Sequence, residues 1–155
     1  MMKLILVVTA ATLVQVTLVQ ITQAQVAQAL EVQSCRDAGV GLESLVLPVA
    51  KNTREFAQGK IQVYKVDQGE PVCCSVGVAV VIPDVDSELG DSKCVSVMGL
   101  GDVDVKNAAA KYDSARGLKI TFATRKYNPE TGGNDPAENL HLRVNLKRST
   151  VQVER

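Results

Sequence analysis

The stretch that most limits what this chain can fold into is Val72 to Ile82, VCCSVGVAVVI, an uncharged apolar run bracketed by Pro71 and Pro83. Its even positions (Val72, Cys74, Val76, Val78, Val80, Ile82) are bulkier than most of its odd ones (Cys73, Ser75, Gly77, Ala79, Val81). Alternation of bulk at period two, with β-branched residues prominent, predicts a strand buried on both faces. The small odd face implies a second layer packed close against it. The flanking prolines agree, because proline cannot donate to a ladder and sits at strand ends. This is the expected central strand, and it carries two adjacent cysteines.

Most segments around it also read as strands. Lys60–Val66 alternates, and the turn Asp67-Gln68-Gly69-Glu70 links it to the central run as a hairpin. Cys94–Met98 follows as a strand, is broken at Gly99 and Gly101, and resumes at Val103 and Val105 beyond a bulge. Leu118–Tyr127 puts Leu118, Ile120 and Phe122 on one face. Leu140–Lys147 turns Leu140, Leu142, Val144 and Leu146 inward and His141, Arg143, Asn145 and Lys147 to water. Leu30–Ser34 and Val151–Val153 make short terminal strands. Leu42–Val49, with Pro48 inside it, reads as an edge strand or an extended cover. Lys51–Gln58 is the one expected helical turn, capped by Thr53 and stopped by Gly59. Ala108–Tyr112 fits either a helical turn or the approach to a hairpin, and Asn128–Asn139 is a loop by composition. The expectation is therefore all-β: an antiparallel β-sandwich or small barrel of about seven to nine short strands with at most one short helix.

Met1–Ala29 has the plan of a secretory signal peptide: Lys3 is its only charge, Leu4–Val14 is apolar, and Ala27-Gln28-Ala29 fits a cleavage site. A second candidate site follows Ala24. Gln15, Gln20, Gln23, Gln25 and Gln28 make the stretch a poor membrane span, since each amide needs a partner inside hydrocarbon. Residues 30–155 are then one β-sandwich domain, secreted or periplasmic, with no membrane span after cleavage.

An exported chain with Cys35, Cys73, Cys74 and Cys94 predicts structural disulfides. Neighbouring strand residues point to opposite faces, so Cys73 and Cys74 are expected to take different partners. A hairpin between the central strand and Cys94–Met98 puts Cys94 near Ile82, far from Cys73. Cys35 is therefore the expected partner of Cys73 or Cys74. The competing reading is a vicinal Cys73–Cys74 bond, or a soft-metal thiolate pair with Met98 or His141 nearby. A Cys–His nucleophile would need the only histidine, His141, beside one of them, and His141 is expected on a distant strand.

Between Val66 and Val105, Asp67, Glu70, Asp84, Asp86, Glu88, Asp91, Asp102 and Asp104 face the single base Lys93. From Arg116 onward eight bases stand against four acids. Asp84, Asp86, Glu88 and Asp91 place side-chain oxygens at near-alternate positions, as a calcium loop requires of a hard cation site. Here the glycine is displaced relative to an EF-hand and the twelfth position is Val95 rather than glutamate. The competing expectation for this loop is a solvated turn, with acidic and basic strands neutralising one another locally.

The formal charge is zero and tryptophan is absent, so neither a polyanion-binding field nor a base-stacking platform is expected, and nucleic acid is not a partner. Gly39–Gly41 and Gly99–Gly101 open no helix after a strand and are no nucleotide fingerprint. The functional expectation is an exported, non-enzymatic, cofactor-free module that binds another protein or self-associates. The alternatives are a small inhibitor or accessory subunit presenting a loop such as Asn128–Asn139, and a metal-binding protein using the acidic loop or the paired cysteines.

Overall fold

The structure is a computed structural model and describes residues 30–70 and 73–154. The expected signal segment, Met1–Ala29, lies outside the described residues, as do Pro71 and Val72. Ten strands are described: β1 (Gln33–Ser34), β2 (Thr53–Phe56), β3 (Ile61–Asp67), β4 (Val76–Pro83), β5 (Ser92–Leu100), β6 (Asp102–Asp113), β7 (Gly117–Asn128), β8 (Gly133–Pro136), β9 (Leu140–Asn145) and β10 (Thr150–Val153). The only helical pieces among the described residues are two 3-10 turns, Leu42–Ser44 and Val49–Lys51. The fold is all-β, built of two antiparallel sheets. One has the order β1-β5-β4-β3-β2. The other has the order β10-β9-β7-β6, with β8 pairing the far end of β7.

β4 stands in the middle of the first sheet, as its alternation predicts. Val78, Val80 and Ile82 enter a cluster that joins the two sheets through Ile120 and Phe122 of β7 and Leu142 and Val144 of β9. Full burial of each such side chain is worth about 1.5–3 kcal/mol, so this cluster holds the sheets together. The small face of β4 is used differently. Ala79 is buried in a second cluster with Cys35 and Val66, against which Val40, Leu45, Tyr64, Cys94 and Met98 pack. That layer lies on the outer face of the first sheet, where the segment after β1 crosses it. Gly77 shows how close the packing is: a Cβ there would stand 2.4 Å from both the Met98 Sδ and the Val97 carbonyl oxygen.

Glycine also controls how the chain moves between sheets. Val76 pairs with Leu100 and Gly77 with Met98, leaving Gly99 as the extra residue, at φ 100°. This left-handed conformation favours glycine, and the bulge bends β5 towards Gly101, where the chain enters the second sheet. β6 has a larger irregularity. Asp104 pairs with Ala123 and Ala109 with Thr121, so four residues of β6 stand opposite Phe122. The Asp104 carboxylate braces the excursion by accepting from the Asn107 N–H at 3.0 Å and Asn107 Nδ2 at 2.8 Å.

The ten described strands exceed the expected seven to nine, two segments differ from expectation, and two that the sequence left open are resolved. Lys51–Gln58 makes no helix: Thr53–Phe56 pairs with Ile61–Tyr64, and the left-handed residues Ala57, Gln58 and Gly59 reverse the chain. Weak helix preference yields here to a ladder that places Phe56 against the core. Asn128–Asn139 is not wholly a loop, since Gly133–Pro136 folds back onto Arg125–Asn128. Ala108–Tyr112 resolves as strand within β6. Leu42–Val49 acts mainly as a cover, touching the first sheet's ladder at Leu45–Val66 and through the Val46 N–H on the Lys65 carbonyl.

Candidate functional site

The cysteines are the first chemistry to place. β1 pairs with β5 through Gln33–Ser96 and Ser34–Val95. The next step of that ladder brings Cys35 to Cys94: the Cys35 N–H donates to the Cys94 carbonyl at 3.1 Å, and the two side chains form a disulfide across a Cα separation of 5.4 Å. This corrects the expected link from Cys35 to Cys73 or Cys74. Cys94 does lie far along the β4–β5 hairpin, opposite Val81. β5 has a second edge, however, and β1 pairs along it. Cys73 and Cys74 are bonded to each other and exposed in the connection before β4. A strand sends neighbouring side chains to opposite faces, so a vicinal bond and strand geometry exclude each other locally. Cys74 accordingly sits at φ 81°, and the strand begins at Val76 rather than Val72.

The acidic loop joins β4 to β5, and the carboxylates of Asp84 and Asp91 are engaged within it. Asp84 accepts from the Asp86 N–H at 3.2 Å, Ser87 Oγ donates to Asp91 at 2.8 Å, and the Asp84 N–H donates to the Asp91 carbonyl at 2.9 Å. The loop is tied to the β9–β10 turn by Ser149, whose buried hydroxyl donates to the Pro83 carbonyl at 2.7 Å and accepts from the Val85 N–H at 2.8 Å. Asp84, Asp86, Glu88 and Asp91 do not converge, and among the described residues no three His, Cys, Asp or Glu side chains form a group able to hold a metal ion. His141 is half-buried rather than facing water, with its Nδ1 2.9 Å from Thr121 Oγ1 on the outer face of the second sheet. Met98 packs over Gly77 in the other sheet.

Two further features emerge only when the strands are paired. The first is a row of cations across the outer face of the second sheet. Lys111 pairs with Lys119, Lys119 with Arg143, and Arg143 with Gln152. Glu154, just beyond β10, reaches into this row. Its carboxylate accepts from Arg143 Nη2 at 2.7 Å, is bridged by Arg116, and lies 3.5 Å from Lys119 Nζ. The hydrogen bond from Arg143 and the positive charges of Arg116, Arg143 and Lys119 hold the Glu154 carboxyl below its ordinary value. Beside it opens a cleft of about 250 Å³ lined in part by Arg116, Arg143, Arg148, Asn145, Thr150 and Gln152.

The second feature is the free margin of β6. Its first half lies beside the first sheet: Lys65 is paired with Asp102, and Arg54 Nη1 donates to the Lys106 carbonyl. Its second half has no strand on that side among the described residues, and Ala109 to Asp113 are all exposed. Ala108, Ala110 and Tyr112 follow one another along the core-facing side, from 2% exposed at Ala108 to 67% at Tyr112. The strand therefore outruns the sheet that covers it.

Neither feature is visible in the order of residues. The basic excess after Arg116 is a partial signal, but only the register puts Lys111, Lys119 and Arg143 in one line. Among the described residues no helix is long and apolar enough to cross a membrane. Compared with known protein families, curated proteins and solved structures, the chain matches none.

Proposed function

We propose that this chain is an exported, non-enzymatic β-sandwich that binds another protein by adding an extended segment of it to the free margin of β6. The observation that carries the reading is the exposure of Ala109–Asp113, five consecutive strand residues with one side unpaired among the described residues. An unpaired edge offers main-chain donors and acceptors, and strand addition uses them for affinity while side-chain pockets set specificity. The faces of β6 define the occupant. On the core side, Ala110 and Tyr112 continue the apolar row and favour apolar residues in the added strand. On the outer side, Lys111 heads the cationic row and favours an acidic residue beside it. The partner segment accordingly alternates apolar and acidic side chains.

Four carboxylates lack the tuning of a general acid or base. Asp67, Asp104, Asp113 and Glu154 are all held below their ordinary values, first by hydrogen bonds from the Ser75 hydroxyl, the Asn107 side chain, the Arg116 N–H and the Arg143 guanidinium respectively. A general acid or base is tuned the other way, towards the working pH. The Cys35–Cys94 bond is compatible with an oxidising compartment.

The test is amide chemical-shift mapping of residues 30–155 with a short capped peptide alternating valine and glutamate. Saturable shifts concentrated on Ala109–Asp113, and lost with the Val–Lys counterpart, are expected. No shifts, shifts scattered over both sheets, or concentration-dependent pairing of the chain through β6 without peptide would overturn the reading.

A further inference from the structure

We propose that the cleft between the β6–β7 turn and β10 is a binding site for a small, multiply charged oxyanion of the phosphate class. The argument begins with a cost. Like charges directly opposite one another on neighbouring strands repel, and here Lys111, Lys119 and Arg143 are consecutive cross-strand partners. Glu154 relieves part of that repulsion, but one carboxylate is shared by Arg116, Lys119 and Arg143. Arg148 lines the same cleft and has no acidic partner among the described residues. The other nearby carboxylate, Asp113, is engaged by the N–H groups of Ala115 and Arg116 at 2.8 and 3.0 Å. Three arginines, Arg116, Arg143 and Arg148, therefore line the cleft against the single carboxylate of Glu154, and the surplus positive charge borders the opening.

The donors are also well prepared. Arg143 has only 12% of its side chain exposed and is fixed from two sides: Nη1 donates to the Gly117 carbonyl at 3.2 Å and Nη2 to Glu154. It forms a rigid wall against which the exposed Arg116 and Arg148 can close. Asn145, Thr150 and Gln152 add neutral polar groups to the lining. Arginine forks match the oxygens of phosphate or carboxylate in pairs, and arginine keeps its charge at any ordinary pH. A volume of about 250 Å³ falls just below the usual range for drug-sized ligands, so it suits a phosphate with at most a small attached group. None of Ala109 to Asp113 lines the cleft, whose lining comes from the β6–β7 turn, β9, the β9–β10 turn and β10, so the site does not depend on the strand-addition reading.

The experiment is calorimetric titration of the folded chain with inorganic phosphate and separately with glycerol phosphate, at an ionic strength fixed with chloride. Saturable one-site binding of at least one of them is expected. Equal affinity for the two identifies the free ion as the ligand, and tighter binding of the ester identifies a phosphomonoester. Arg148→Gln alters an exposed position outside the strands and should weaken binding about tenfold, the effect of losing one charge-assisted hydrogen bond. Glu154→Gln removes the competing negative charge and should tighten binding severalfold wherever its circular dichroism stays native. An absence of saturable binding, equal affinity in the Arg148→Gln protein, or the same heat from added chloride would overturn the proposal.

Discussion

Removing the Cys35–Cys94 bond is the most direct test of how the first sheet is closed. The two cysteines are 59 residues apart in sequence. Cross-linking a loop of that length lowers the entropy of the unfolded chain by about 14 cal/mol/K, or about 4 kcal/mol at 25 °C. Cys35 is 6% exposed and packs with Val66 and Ala79, so truncating it to alanine adds about 1 kcal/mol of lost burial. The Cys35→Ala/Cys94→Ala protein should therefore lose about 5 kcal/mol, a large share of the 5–15 kcal/mol typical of a domain. With a urea m-value of about 1.5 kcal/mol/M, the unfolding midpoint falls by about 3 M. The matched control is Cys73→Ala/Cys74→Ala. That pair closes no loop beyond one peptide unit, and its removal should change stability by less than about 1 kcal/mol. Both proteins are unfolded in urea without reductant and followed by circular dichroism, and the disulfide-linked peptides of the parent are mapped. A loss below about 1 kcal/mol in the first variant, a larger loss in the second, or a peptide joining Cys35 to Cys73 or Cys74 would refute the reasoning.

Gly77→Ala places a methyl group 2.4 Å from the Val97 carbonyl oxygen, a backbone atom with little room to retreat. Overpacking of this kind should cost about 1–3 kcal/mol in urea unfolding, and an unchanged midpoint would count against the close outer layer. Ser149→Ala strips the Pro83 carbonyl and the Val85 N–H of their shared buried partner. It should cost about 1–3 kcal/mol and raise hydrogen exchange at Val85, whereas protection equal to the parent would exclude the strut. The depressed carboxyls set the pH response. Because the folded values of Asp67, Asp104, Asp113 and Glu154 lie below the unfolded ones, their contribution is complete above the unfolded range of about 3.9–4.3. It is lost as pH falls through the folded values. Stability from these groups should hold from neutral pH to about 5 and decline below about 4, and a midpoint that rises on acidification below 4 would contradict it.

The parts of the fold legible in the sequence are those decided by local alternation. Val76–Ile82 and Leu140–Val144 each carry a bulky face at period two, and each delivers that face to the cluster between the sheets. Gly99 was readable as an interruption for a similar local reason, because a bulge needs its positive φ. Errors begin where a contact distant in sequence decides. Thr53–Phe56 has no strong strand pattern and becomes a strand because Ile61–Tyr64 is there to pair with it. Gly133–Pro136 pairs with Arg125–Asn128 despite its loop-like composition. The cysteine pairing failed differently. The position of Cys94 along the hairpin follows from the sequence, but a two-residue strand, Gln33–Ser34, is too short to announce which edge it will join.

The same distinction explains why the candidate sites were invisible. A charge row depends on register: moving β7 by one residue against β9 would send Lys119 away from Arg143 and onto the other face. A free edge depends on where the covering sheet ends, which here is set by the four-residue excursion of β6 opposite Phe122. That excursion separates two uses of one strand. Before it and within it, Asp102 and the Lys106 carbonyl are engaged by Lys65 and Arg54 of the first sheet. After it, Ala109–Asp113 continues the ladder with β7 but has left the first sheet behind. The bend that closes the molecule on one side is thus also what leaves an unpaired strand on the other. Shortening the excursion by deleting Lys106 and Asn107 would draw the exposed residues back towards β2, and it should abolish peptide-induced shifts at Ala109–Asp113 while leaving phosphate binding intact.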